Sequence, residues 1–234
     1  RRRKKAERSL PLIEAAVADD PDNLLHRYYL GREYYSLGRF DDAIRVLEAT
    51  IDRLTTAESV EQDVLLDAYW HLIEALRRAK APLERTLAIA MPAVERFERS
   101  ADLWYATACA LTDAERWSES IRFLQHSLRC LDDTGGPPTR VDHMGRRRWE
   151  VLQRLGDASA ELGNLEDAYA AYVTAIEHKP PQSAGWPAIL NVAIALALDL
   201  GDNERLDGLV ERLLQQPDAP LDMFWLYLER VHAL

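Results

Sequence analysis

Two cysteines in 234 residues, Cys109 and Cys130, are too few for a disulfide framework and lack metal-ligand spacing. A reducing compartment is the simpler expectation. No apolar run reaches membrane-spanning length; the longest, Ile189 to Leu200, is too short and already contains Asp199. No signal peptide is visible, and the expected localisation is cytoplasmic. Net positive charge is also missing. The formal charge of −10 argues against a general nucleic-acid binder, because phosphate contacts need clustered cations. No segment is β-rich, so the usual nucleotide-binding sheet is absent. Gly135-Gly136 lacks the lysine and the following helix pattern of a phosphate loop.

Chemistry-bearing residues are present but scattered. His26, His71, His126, His143, His178 and His232 share no i, i+4 helical face and form no H-E-x-x-H. They are read as structural or exposed. Cys109 is expected to pack inside a helix and Cys130 near a helix end, neither with a nearby sequence partner for catalysis. Asp20-Pro21-Asp22 has the D-x-D form that holds a metal-bound sugar nucleotide in many glycosyltransferases, where it follows a strand. Here it stands directly before Asn23, a helix cap, and reads as a turn between helices. The cationic run Gly145 to Glu150 reads as an exposed first stretch of helix pairing with Glu150. No catalytic residue, cofactor or metal is expected in these residues.

Hydrophobic residues at 47% and charged residues at 29% describe an ordinary globular chain, long enough to bury a core. Within it one pattern is written twice. Leu30-Gly31, Leu37-Gly38 and Asp42-Ala43 match Leu155-Gly156, Leu162-Gly163 and Asp167-Ala168 at the same spacings. Small residues at Gly31 and Ala43 suit two antiparallel helices crossing closely. Gly38 stands where the first helix must stop. Asp41 and Asp42 then fall in the first turn of the second helix, and Ile44, Leu47 and Ile51 continue at helical spacing. The unit is helix, short turn, helix.

This unit resembles the tetratricopeptide repeat, whose pattern Trp-x2-Leu-Gly-x2-Tyr, Ala-x3-Phe, Pro runs over about 34 residues. The first copy has Leu30-Gly31-x2-Tyr34 and Ala43-x3-Leu47, with Arg27 in place of the tryptophan; a later copy has Leu155-Gly156, Ala168-x3-Tyr172, Ala175 and Pro180. Between them Trp70 and Trp104 stand one repeat period apart and mark weaker copies. Ala108, Trp117, Leu124 and Ser127 fit the copy after Trp104. Ile73, Leu83, Ala90 and Ala93 fit the copy after Trp70 poorly, and Pro92 should kink or shorten its second helix. Ala188 to Leu200 and Asn203 to Leu214 make a fifth pair broken at Gly201.

The resemblance implies an all-α, right-handed solenoid of about five helix pairs plus a C-terminal capping helix, in which stacked neighbours bury each other's apolar faces. Residues 1–22 are a lead-in helix or linker from an upstream domain, 23–131 hold repeats one to three, and 132–139 form a Gly/Pro loop. Residues 140–216 hold repeats four and five, with a helix starting near Arg140 after a Thr139 cap, and 220–234 form the cap helix.

In such folds the first helices of successive pairs line a concave groove. By register that groove carries Tyr28, Arg32, Tyr35, His71, Arg78, Tyr105, Gln153, Asp157 and Asn191. The Lys and Asn of the clamp for acidic chaperone tails are replaced by Tyr28 and Arg32, which removes that ligand. Packing between repeats is the competing reading for Tyr28 and Tyr35.

A narrower resemblance concerns Arg8 to Ile51. Arg8-Ser9-Leu10, Leu12-Ile13-Glu14, Pro21-Asp22-Asn23, Leu30-Gly31, Tyr34 and Gly38-Arg39-Phe40 look like the junction after the catalytic domain of bacterial family-2 glycosyltransferases with tetratricopeptide tails. The chain begins at Arg1 rather than Met, so it is read as a piece of a longer protein. The reading is a non-catalytic protein–protein interaction module, the tail of such a transferase, positioning an acceptor or a partner protein. The alternative is a stand-alone or regulator-linked scaffold or sensor domain that binds a peptide or protein.

Overall fold

A computed structural model describes residues 2–56, 62–133, 143–144, 147–179 and 185–214. Among these residues there are eleven helices and no strand. A leading helix, α1 (Arg2–Asp19), is followed by five pairs. These are α2 (Leu24–Ser36) with α3 (Phe40–Thr56), α4 (Gln62–Arg78) with α5 (Leu83–Arg96), and α6 (Ala101–Asp113) with α7 (Trp117–Asp132). Then come α8 (Arg148–Glu161) with α9 (Leu165–His178), and α10 (Trp186–Asp199) with α11 (Asn203–Leu214). None of the described helices is long and apolar enough to cross a membrane. The cap helix expected at 220–234 and positions 134–139 of the Gly/Pro loop lie outside the described residues.

The turns inside the pairs share one construction. Gly38 has φ +79°, and the Arg39 N–H reaches back to the Tyr34 carbonyl at 2.9 Å; Gly163 has φ +74°, and the Asn164 N–H reaches the Ser159 carbonyl at 2.9 Å. This is a left-handed helix stop that satisfies an orphan carbonyl. The α4–α5 and α6–α7 turns make the same bond, Ala81 N–H to Leu76 at 3.0 Å and Arg116 N–H to Leu111 at 2.9 Å. There the left-handed residues are Lys80 and Glu115. The sequence marks these as weaker copies, and in them the glycine is gone while the backbone turn remains.

The close crossings also stand where the repeat put them. A Cβ added at Gly31 would meet Leu47 Cγ at 2.6 Å, and one at Gly156 would meet the Tyr172 ring at 2.8 Å. Ala43 and Ala168 are fully buried. Asn23 caps α2, accepting the His26 N–H at 3.1 Å.

The chain divides into two compact units, one of residues 1–116 with 129–143, the other of residues 117–128 with 144–234. In the first, α1 packs on α2, α2 on α3 and α4, α3 on α4, and α4 on α5 and α6. Its core runs from Tyr28 to Ala106 and includes Leu47, Leu65, Leu72, Ile73 and Leu103, all without solvent exposure. Burying each such leucine contributes about 2 kcal/mol. In the second, α9 packs on α8 and α10, and α10 on α11, around Leu152, Tyr172, Trp186, Leu190 and Leu206.

Two expectations are corrected. Pro92 does not cut α5 short, because Ala88, whose carbonyl loses its helical partner, lies like Pro92 on the exposed face, where water can replace the bond. Thr139 and Arg140, where the next helix was expected to start, lie outside the described residues; the described helix α8 begins at Arg148, and His143 and Met144 form a bend in which the His143 main-chain N–H is held by the Asp102 side chain.

Trp70 and Trp104 are not equivalent despite their spacing. Counted from the left-handed residue, Trp104 lies 115 − 104 = 11 positions before it and Trp70 only 80 − 70 = 10. Tyr69 holds the repeat position in α4 and packs edge-on against Phe97 (centroids 6.4 Å). Trp70 is therefore turned to another face.

Candidate functional site

That face is built from three first helices of the first unit. Along α4, Asp67, His71, Glu74 and Arg78 recur every three or four residues and form one stripe, which Trp70, three residues after Asp67, widens. Along α2, Tyr28, Arg32 and Tyr35 do the same. Because α4 lies between α2 and α6, the stripes meet over α4.

At the centre is Asp67. Its Oδ2 accepts the Tyr28 hydroxyl, and its Oδ1 accepts Nε2–H of His143 at 2.6 Å. Its main-chain carbonyl accepts Nδ1–H of His71 at 2.8 Å. The His143 ring lies flat on Trp70, with centroids 4.1 Å apart and planes 18° apart. The His143 main-chain N–H points at both carboxylate oxygens of Asp102 on α6, at 3.1 and 3.0 Å. Tyr35 closes one side, its ring edge-on to His71 (5.2 Å) and Trp70 (6.1 Å).

Burial alone would raise the Asp67 pKa. The His143 hydrogen bond, the nearby His71 and the Tyr28 hydroxyl outweigh it and hold the carboxyl below its usual range, so it is an anion. Burial pushes the His71 imidazole down, against the pull of Asp67, so that ring is neutral near pH 7. Tyr28 is driven well above its usual value, first by burial and then by the Asp67 charge, and stays a donor.

The nine candidate residues separate. Tyr28, Arg32, Tyr35 and His71 come together, as Tyr28 and Tyr35 both have ring contacts to His71 and the Arg32 guanidinium lies 5.7 Å over Tyr28 and 4.8 Å over Tyr29. Tyr28 and His71 are buried, so both are packing residues as well as parts of the face. Arg78 is exposed and lies beside the Tyr35 hydroxyl. It also lines a cleft of about 630 Å³ with Arg77, Lys80, Thr86 and Asp113. Arg77 is already paired, with Glu74 at 2.9 Å and Asp113 at 2.8 Å. Tyr105 is half-buried on α6. Gln153, Asp157 and Asn191 belong to the second unit, where Asp157 accepts the Tyr172 hydroxyl and Asn191 is exposed.

Sequence reasoning missed Asp67, Trp70, Asp102 and His143. Asp67 was legible as an acid four residues before a histidine on one helix. His143, 76 residues from Asp67, carried no local signal. Of the cationic stretch before Glu150, Gly145 and Arg146 lie outside the described residues, and Arg147, just before α8, reaches Glu150 at 3.5 Å. Among the described residues no three His, Cys, Asp or Glu side chains converge as a metal site. What this arrangement can do is hold a flat cation against an anion and grip a main-chain N–H beside it.

No protein-family model matches the chain, and no curated protein is similar to it in sequence. Solved structures are similar in fold. BtubC (BKLC) from P. vanneervenii superposes with a TM-score of 0.65 at 15% identity, over 91% of this chain and 88% of that one. MamA from Desulfovibrio magneticus RS-1 gives 0.60 at 15% identity, over 78% and 90%. A putative kinesin light chain from Podosopora anserina with nearly identical TPR-like repeats gives 0.59 at 15%, over 82% and 93%. The fold is that of tetratricopeptide-like repeat proteins.

Proposed function

We propose that this repeat fold serves as a non-catalytic interaction module that binds a protein or peptide on the α2–α4–α6 face. The observation that carries this reading is the row of cations set on aromatics along α2 and α4. Arg32 rests on Tyr29 with 35% of its side chain still exposed, and exposed Arg78 stands beside Tyr35. Arg and Tyr are frequent binding anchors, and side chains already ordered on rings lose less entropy on binding.

The test is the double variant Arg32→Gln with Arg78→Gln. Glutamine is used because a glutamate at 32 would stand against buried Glu33, which Arg32 pairs at 3.3 Å. Peptides selected from a random display library on the parent chain should lose binding to the variant while its melting temperature stays nearly unchanged. Equal binding would move the site elsewhere.

A finer form of this proposal makes the module the cytoplasmic tail of a bacterial family-2 glycosyltransferase. It is supported by the junction-like residues from Arg8 to Asp22. The outer side of α1 supports it too. Leu10, Ile13 and Val17 of that helix pack on the core and Glu14 accepts the Tyr34 hydroxyl at 3.1 Å, whereas Leu12 is left 74% exposed, where an upstream domain could cover it. Reading the parent gene upstream tests this. A GT-A-type domain with D-x-D at a strand end supports it; a sensor, kinase or DNA-binding domain leaves the scaffold reading.

A further inference from the structure

His143 is not part of any helix pair, yet it sits in the face just described. It reaches Asp67 across 76 residues and Asp102 across 41. Three independent features hold it: a flat stack on Trp70, a ring hydrogen bond to a buried carboxylate, and a main-chain N–H shared between two carboxylate oxygens. Two of these read the side chain and one reads the backbone beside it. A residue of an extended peptide would be gripped in the same way.

We propose that Asp67, Trp70 and Asp102 form a recognition site for a protonated histidine in a protein segment, which His143 fills as an internal competitor. This rests on the reading of the α2–α4–α6 face as a binding surface. Charge favours the imidazolium. Among the described groups, Asp67 and His71 on α4 and Asp102 on α6 contact His143, Tyr28 on α2 shares the Asp67 carboxylate with it, and Arg32, which acts on His71, is paired with Glu33 and rests on the tyrosine rings. Asp67 is anionic and His71 neutral, so the atom facing the ring nitrogen is a full negative charge.

The site is also reachable and incompletely satisfied. The His143 side chain keeps 32% of its exposure while Asp67 keeps 9%. The indole N–H of Trp70 has no hydrogen-bond acceptor among the described residues, so an incoming segment could satisfy a donor that His143 leaves open. A tethered competitor has an effective concentration on the order of millimolar, so a free segment meets a site already mostly filled.

The probe is a fluorescent nonapeptide of the chain's own residues 139–147, Thr-Arg-Val-Asp-His-Met-Gly-Arg-Arg, measured by anisotropy against the full chain. His143→Ala should bind it roughly ten-fold or more tightly than the parent does, because the competitor is gone. His143→Gln serves as a second variant of similar size, with helicity checked for both. The same peptide with alanine in place of its histidine should not bind. Binding to His143→Ala should weaken on the order of ten-fold from pH 6 to pH 8, as the peptide imidazole loses its proton. Equal binding by parent and both variants, or by the alanine peptide, would overturn the proposal. If the nonapeptide fails while library peptides still depend on Arg32 and Arg78, the histidine site falls and the binding face stands. If the nonapeptide behaves as stated while library peptides ignore those arginines, the histidine site stands without that face.

Discussion

The α2–α3 and α4–α5 turns make the same backbone hydrogen bond from different residues. Gly38 takes the left-handed position in one and Lys80 in the other. Five positions on, the first has fully buried Ala43 and the second has Arg85, half exposed and paired with Glu48 at 2.8 Å. Seven positions back stand Gly31 and Ile73. The shared backbone turn shows that packing against neighbouring pairs keeps the hairpin when its consensus residues are gone. The helix freed from consensus, α4, is the one that carries Asp67, Trp70 and His71.

The largest break in this comparison comes from charge in the crossings. Ala43→Glu, and likewise Ala168→Glu in the second unit, puts an unpaired carboxylate at a site with no exposure and should cost on the order of 4 kcal/mol. Arg85→Glu, at the equivalent place, should cost less than about 1 kcal/mol, since it removes one exposed ion pair. Urea melts of the three variants measure this; similar losses would mean that position 85 lies in a close crossing as Ala43 does.

A smaller effect separates the two units by pH. The folded pKa of His71 is depressed from 6.5, mainly by burial, so the unfolded chain takes up a proton first as pH falls. Its stabilisation is present above pH 6.5 and is lost as pH drops toward the folded value, with a slope of at most about 1.4 kcal/mol per pH unit. Asp67, depressed from 3.8, adds a loss of the same sign at lower pH. In the second unit none of the described buried residues is a histidine. His71→Gln should flatten the slope of unfolding free energy between pH 7 and 5 even where it lowers its height; an unchanged slope would assign the proton elsewhere.

The smallest effect tests the turns themselves. Lys80 (φ +55°) and Glu115 (φ +59°) are ordinary residues in a conformation that disfavours a Cβ. Lys80→Gly and Glu115→Gly should each stabilise by about 0.5–1 kcal/mol, whereas Gly38→Ala should destabilise by about 1 kcal/mol. Thermal melts with opposite signs at equivalent positions would confirm a common turn.

The residues themselves determined what short-range physics can write. Asn23 caps a helix through the N–H three residues on, Gly38 and Gly163 stop helices, and Gly31 and Gly156 let a partner helix approach. Each effect acts within one hairpin, so its residue types are legible in order, and with them the all-α paired architecture. The groove register put Tyr28, Arg32 and Tyr35 on one stripe of α2 and His71 on one stripe of α4, while the meeting of the two stripes is a contact between hairpins.

Tertiary structure decided the rest. The 34-residue spacing of the tryptophans was a coincidence of period, because a one-residue offset on a helix rotates a side chain by about 100° and sent Trp70 to a different face. Asp67 and His143 share no hairpin. Their hydrogen bond forms only because α4 packs between α2 and α6 and the bend at His143 crosses that surface. Nothing between positions 67 and 143 encodes the meeting locally, since a contact across 76 residues is set by where the packed helices leave a buried charge in need of a donor.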